Sequence, residues 1–196
     1  MQPEARQRCT AEEYLTLERS RPERHEYLAG EMFAMGGASE RHNLIVINVG
    51  RELSLQLKGR PCRTYANDMR VKIAPTGLYT YPDIVVVCGA ARFDDEQRDT
   101  LLNPTLLVEV LSKSTEAYDR GEKFAHYRKL DSLAEYLLIA QDKVHVEHYL
   151  RQPDRQWLLS ETDDLHHTVH VPAIGCELAV AEIYDKVDLS TSLQTA

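Results

Sequence analysis

Cysteine is scarce and scattered: Cys9, Cys62, Cys88 and Cys176 contain no CxxC pair. That spacing excludes a zinc ribbon and provides no disulfide framework, so reduced structural thiols are expected. Glycine and proline, at 9 and 8 residues of 196, are too few for a fibrous or low-complexity chain. No apolar run approaches the roughly 18 residues of a membrane span. The start of the sequence, MQPEARQRCTAEEYL, lacks the apolar stretch of a signal peptide. A cytoplasmic protein without a membrane partner is expected. Basic residues are outnumbered, with 23 Lys plus Arg against 31 Asp plus Glu and a net charge of −8. This excludes coating of polyanions by a generally basic surface, while a local basic face or a bound cation stays compatible. What is there, 43% apolar and 28% charged residues, is the composition of a folded chain. Its length fits one domain over 1–196 that buries roughly 70% of its unfolded surface.

Thr10 and Glu13 have the spacing of a capping box, which starts a first helix over about 10–20 before Arg21-Pro22 stops it. Glu26-Tyr27-Leu28 and Glu31-Met32-Phe33 flank Ala29-Gly30 as a hairpin. Ser39 can cap a second helix to about 58, where Leu44, Ile45, Val49, Leu53 and Leu57 make one apolar stripe. Strands are predicted at 62–65, 69–73 and 79–88, with a charged loop at 92–99 and another strand at 105–111. The unbroken apolar run Ile84 to Cys88 reads as a central strand covered on both faces. A helix from 114 or 115 to 130 places Asp119, Lys123 and Tyr127 at i, i+4 and i+8 on one side. Strands at 135–140, 144–150 and 156–160 form an antiparallel meander, and the polar 189–196 tail is expected to fray.

An ionised carboxylate in a buried strand is costly unless it is paired or binds a metal. Asp83, at the mouth of one apolar strand, and Glu109, inside the other, call for such a partner. Two carboxylates on neighbouring strands make a hard-oxygen site for Mg²⁺ or Mn²⁺; paired with core arginines, they would be structural instead. Lys123 can join them. Eight residues from Thr115 rise about 12 Å along a helix, and Glu109 lies roughly 10 Å before its strand ends, so the two come level if the helix folds back. The blander alternative is a surface lysine paired with Asp119. His145 and His148 fall on opposite strand faces, and His166, His167 and His170 lack a helical HExxH frame, so exposed histidines are expected. Ser112, Ser114 and Thr115 read as helix-capping hydroxyls.

The stretches YPDIVVVCG, TLLVEVLSKSTEAYDRGEKFAHYRKL and EYLLI resemble the Uma-two family of restriction endonucleases, a branch of the PD-(D/E)XK nuclease superfamily. RHEYLAGEMFAM, NDMRVKI and IGCELAVAEIY extend the resemblance over nearly the whole chain. It implies an α/β fold, a restriction endonuclease-like mixed central sheet flanked by helices with an antiparallel C-terminal extension. It also implies that Asp83 is the Asp of the PD motif and Glu109 the acidic residue of (D/E)XK. The superfamily's lysine usually follows two residues later, where this sequence has Leu111; a helical lysine replaces it in this branch, and Lys123 matches, with Lys113 as rival. Glu31 matches an acidic position near the site and is a further candidate metal ligand. His42, Asp68, Asp119 and Tyr127 are candidate auxiliary residues.

The function expected from the resemblance is Mg²⁺- or Mn²⁺-dependent hydrolysis of phosphodiester bonds, in DNA. Arg41, Arg51, Lys58, Arg60, Arg63, Arg70 and Lys72 are candidate backbone contacts. A homodimer formed through the 144–160 meander is a further expectation. Two alternatives stand beside the enzyme: a DNA-binding or regulatory module on the same fold that no longer cleaves, and an interaction protein whose acidic strand residues are salt-bridged.

Overall fold

The computed structural model describes residues 8–190. The expected tail therefore lies outside the described residues beyond Ser190. Helix α1 (Ala11–Ser20) starts at Thr10, whose hydroxyl accepts from Glu13 N while the Glu13 carboxylate accepts from Thr10 N, the reciprocal capping read from the sequence. Strands β1 (His25–Leu28) and β2 (Glu31–Ala34) form the hairpin, turning at Ala29 and Gly30, both at positive φ. Helix α2 (Glu40–Gln56) is capped by Ser39. It buries Ile45, Val46, Val49, Leu53 and, just past its end, Leu57 against a sheet, with Leu44 half-buried beside them.

Strands β3 (Cys62–Ala66), β4 (Arg70–Ile73), β5 (Leu78–Thr80) and β6 (Ile84–Cys88) follow. The single strand expected over 79–88 is two, because Pro82 has no N–H to give a ladder and the chain changes sheet there. That change sets Asp83 at the mouth of β6. A short β7 (Thr100–Leu101) and the fully buried β8 (Leu106–Leu111) come next. The helix expected up to 130 is shorter and composite: α3 (Glu116–Tyr118), a π-helical turn (Asp119–Lys123) and α4 (Phe124–Tyr127). The meander is present as β9 (Glu135–Ala140), β10 (Val146–Arg151) and β11 (Trp157–Thr162). A hairpin of β12 (Thr168–Val171) and β13 (Cys176–Ala179) and the single turn α5 (Val180–Ile183) complete the described residues.

The larger sheet has the order β11-β10-β9-β8-β6-β3, with β8 and β9 parallel and the other neighbours antiparallel. The smaller sheet runs β2-β1-β5-β4-β7. This is the mixed α/β architecture expected, with helices flanking the larger sheet. One face of that sheet, with Ile84, Val86, Leu106, Val108 and Val110, packs on α2, α5 and the β12–β13 hairpin. The other face, with Val85, Val87, Leu107 and Leu111, meets Phe124, Tyr127 and residues of β4 and β5. Glu109 projects on this second face by strand alternation. Each fully buried Leu or Val contributes about 1.5–3 kcal/mol, so β8, apolar at its five other positions, can carry one costly carboxylate.

Two expectations about side chains also change. The β3–β6 register sets Cys62 opposite Cys88, and the two form a disulfide rather than staying reduced. Their separation of 26 residues gave no hint of that pairing. His148 is buried rather than exposed, because its Nε2 contacts the fully buried Glu135 of the neighbouring strand, and His145 is largely covered too, its ring lying between Glu147 and Asp163.

Candidate active site

Extending the antiparallel register in which Ile84 faces Val108 brings Asp83 opposite Glu109. The backbone N–H of Val110 donates to Asp83 Oδ2 at 2.7 Å. His42, in the first turn of α2, places Nε2 at 3.2 Å from the same oxygen, while its Nδ1 is buried without a protein partner. Asp83 is thus held between the helix layer and β8.

Opposite Glu109, the π-helical turn presents Lys123. A π turn widens the backbone by a residue and often marks functional positions; here Asp119 and Lys123 both point into the buried space. The ammonium lies 3.0 Å from Glu109 Oε1, 3.2 Å from Glu26 Oε1 and 3.3 Å from Asp119 Oδ1. Tyr127, one helical turn further on, donates its hydroxyl to Glu109 Oε1 at 2.7 Å. The expected i, i+4, i+8 face is therefore realised, and Lys123 is buried at 5% exposure rather than a surface residue.

Burial disfavours the charged form of Lys123, yet the carboxylates of Glu109, Glu26 and Asp119 outweigh it and hold its pKa well above the ordinary lysine value. Glu109 has the opposite problem. Desolvation, reinforced by the charges of Asp119 and Asp83, pushes its carboxyl up to about 8 against the pull of Lys123. Three carboxylates, those of Glu26, Glu109 and Asp119, thus surround the Lys123 ammonium, and Asp83 adds its charge on the Glu109 side. The same environment drives the Tyr127 hydroxyl upward, first through burial and then through Glu109.

The structure separates the sequence-derived candidates. Asp83, Glu109, Lys123, His42, Asp119 and Tyr127 converge. Asp68 does not: its side chain is 76% exposed and pairs with Arg24 at 3.2 Å. Glu31 lies beside the hairpin turn opposite Leu28, and the hairpin carboxylate that reaches Lys123 is Glu26. Glu26 also accepts from Thr80 Oγ1 and, at 3.1 Å, from the Tyr118 hydroxyl. Sequence reasoning missed Glu26, Thr80 and Tyr118. Glu26 carried a signal: strand alternation puts it on the same face as Leu28, which packs against the core. Among the described residues no group of three or more His, Cys, Asp or Glu side chains is set to hold a metal ion. Asp83 and Glu109 are a two-carboxylate pair with a lysine beside them.

Lys113 is exposed on the loop after β8. The Ser112 hydroxyl bonds to those of Ser114 and Thr115, at 3.0 and 2.9 Å, and Thr115 makes no capping bond, contrary to the expected role. Several proposed backbone contacts are engaged inside the fold. Arg70 pairs with Asp99, Lys72 with Asp94 and Arg51 with Glu182, and Arg60 donates to the carbonyl oxygens of Ile174 and Gly175.

A sequence model of the Uma2 (Uma-two) family, described as "Putative restriction endonuclease", matches residues 11–181. The chain is 41% identical over 152 residues to the uncharacterized protein sll1609 of Synechocystis sp., covering 78% of this chain and 86% of that protein. A second Synechocystis protein, uncharacterized protein slr1290, is 36% identical over 177 residues, covering 90% and 92%. A crystal structure from Anabaena variabilis, described as a putative nuclease, matches with a TM-score of 0.70 over 90% of this chain and 97% of that one; at 20% identity the likeness concerns the fold. With a family match spanning most of its length, this chain belongs to the Uma2 family.

Proposed function

We propose that the protein is a metal-dependent endonuclease that hydrolyses phosphodiester bonds in DNA. The observation that supports it best is the pairing of Asp83 with Glu109 across β6 and β8, with the Lys123 ammonium 3.0 Å from Glu109. The donor set fits a hard divalent cation: its ligands are carboxylate oxygens, and three carboxylates around one ammonium, with Asp83 next to Glu109, leave negative charge that a second cation would neutralise. Asp83 and Glu109 would hold it. When bound, Mg²⁺ or Mn²⁺ supplies Lewis-acid charge to the scissile phosphate and its attacking water.

The protein's own groups arrange the rest. The Val110 N–H and His42 fix the orientation of Asp83, and the Tyr127 hydroxyl fixes that of Glu109. Glu26 and Asp119 hold Lys123 charged and in place, so that its ammonium can face charge developing on the phosphate. The family description and the nuclease named for the Anabaena structure agree with this reading. No described helix is long and apolar enough to cross a membrane.

Cleavage of plasmid and oligonucleotide DNA, with and without Mg²⁺ or Mn²⁺, tests the proposal. Lys123→Ala should lower kcat by about a hundredfold or more, whereas Lys113→Ala should leave kcat unchanged; the reverse order would assign catalysis to Lys113. A second reading, a DNA-binding module that does not cleave, is favoured by the fact that Lys123 is already paired with three carboxylates. DNA that is bound yet remains intact with either metal would establish it. The proposed homodimer would use β11, an edge strand on which Leu158 and Leu159 are 56% and 45% exposed. A monomeric mass at micromolar concentration would exclude it.

A further inference from the structure

We infer that the cavity at the carboxyl ends of β8 and β9 binds the phosphate backbone of a nucleic-acid strand through Lys113, Lys143 and Lys186. The inference rests on the nuclease reading and names where the backbone of its substrate runs. The cavity has a volume of about 830 Å³, within the size range of ligand sites, and lies between the segments following Leu111 and Ala140 and the amino end of α2. β8 and β9 are parallel neighbours, and open α/β sheets bind ligands in the crevice beyond the carboxyl ends of such strands.

The lining has five cationic and four acidic side chains in a chain of net charge −8. Arg120 is committed to the fold by Glu116 and Glu147, each at 2.7 Å. The three lysines are not. All are exposed, and among the described residues none of their ammonium groups has a hydrogen bond or ion pair. By contrast, Lys72, Arg51 and Arg70 are paired within the molecule.

The cavity also adjoins the candidate active site through three separate elements. Arg41 in its lining precedes His42, Leu111 follows Glu109 by two residues, and Arg120 follows Asp119. A strand with one phosphate at Asp83 and Glu109 can therefore continue into the cavity. Lysine ammoniums are compact point charges that suit phosphate oxygens, and a contact to phosphate carries no base information, so this contact tolerates any sequence.

The test compares the triple variant K113A/K143A/K186A with its parent, both carrying Glu109→Gln so that the probe stays intact. Circular dichroism checks that the triple variant folds. A labelled short duplex and its single strand are titrated in Mg²⁺ by fluorescence anisotropy over a range of salt concentrations. Each lost phosphate contact lowers the slope of log affinity against log salt by about 0.7–0.9. The triple variant should lose about 2–2.7 units of slope and bind at least about tenfold more weakly at low salt. Lys129→Ala, an exposed lysine outside the cavity, should change neither.

An unchanged slope in the triple variant overturns the inference, as does failure of the parent to bind either probe. Loss of inorganic-phosphate binding with DNA affinity intact also overturns it, assigning the cavity to a small phosphate ligand. The two readings can fail separately. A wild type that cleaves, with a triple variant that binds normally, removes only the subsite. A chain that cleaves nothing, yet loses salt slope in the triple variant, keeps the subsite and removes the nuclease.

Discussion

Around Arg70, where α1 meets the smaller sheet, two guanidiniums face two aspartates; around Lys123, three carboxylates share one ammonium. Arg70, 2% exposed, pairs with Asp99 Oδ2 at 3.0 Å and donates to Thr100 Oγ1 and the Tyr81 hydroxyl. Arg19 closes the network on Asp99 and Asp95, at 2.8 and 2.6 Å. The Tyr81 hydroxyl donates to Glu18, whose other oxygen faces His25 Nδ1. Two guanidiniums face two aspartates, and the Asp99 carboxyl is held well below the usual range, by hydrogen bonding to Arg19 before all else. At Lys123 the carboxylates are in excess, and Glu109, desolvated by burial, is pushed up.

The contrast separates a cluster whose guanidiniums and aspartates match from one in which carboxylates outnumber the cation. A buried charge network stabilises only where every desolvated ion finds partners. The Arg70 network meets that condition with protein groups alone, so it explains how α1 is joined to β4 and the 95–99 loop. The Lys123 cluster keeps excess negative charge at a site that includes the partly exposed Asp83. Such local cost is characteristic of functional positions.

The most severe way to break the comparison is Lys123→Met, which leaves three carboxylates without their cation. It should cost about 3–5 kcal/mol in chemical denaturation, and a loss below about 1 kcal/mol would place Lys123 with ordinary surface lysines. Glu109→Gln should instead separate activity from stability. Metal-dependent cleavage should fall by at least about a hundredfold, near 2.7 kcal/mol, while the unfolding midpoint stays or rises, because the ammonium retains two carboxylates. Parallel loss of stability would make Glu109 a structural partner. Asp99→Asn should show the converse, a cost of about 1–2 kcal/mol with cleavage intact, reduced by the partial solvent exposure of Asp99.

The smallest effect is in pH. Asp99 has a folded pKa below its ordinary value of 3.8, so its stabilisation is fully present above that value and fades as pH falls toward the folded one. The stability gap between wild type and Asp99→Asn should therefore narrow below about pH 4, by less than about 1 kcal/mol. A gap that stayed constant on acidification would show that the charge of Asp99 contributes nothing.

Local signals in the chain were sufficient for several of these features. The Thr10–Glu13 box, the stop at Arg21-Pro22, the apolar stripe of α2 and the Asp119–Lys123–Tyr127 face depend on contacts within one or two turns, and spacing reveals them. The demand for a partner at Glu109 was likewise legible, because a carboxylate in an otherwise apolar strand has few alternatives. Even the break at Pro82 was visible as a missing N–H, although the apolar residues around it read as one strand.

What the sequence by itself determined, then, was most of the elements up to the meander, and the placing of Asp83 at the mouth of one apolar strand and Glu109 inside its neighbour. The tertiary structure alone decided that Glu26 rather than Glu31 reaches Lys123, that Cys62 meets Cys88, and that Arg70 and Lys72 turn inward. It also decided that Lys113, Lys143 and Lys186 share one cavity. Caps and periodicities are settled by hydrogen bonds and side-chain spacing within a few residues, whereas these meetings depend on sheet order and register between segments far apart in the chain.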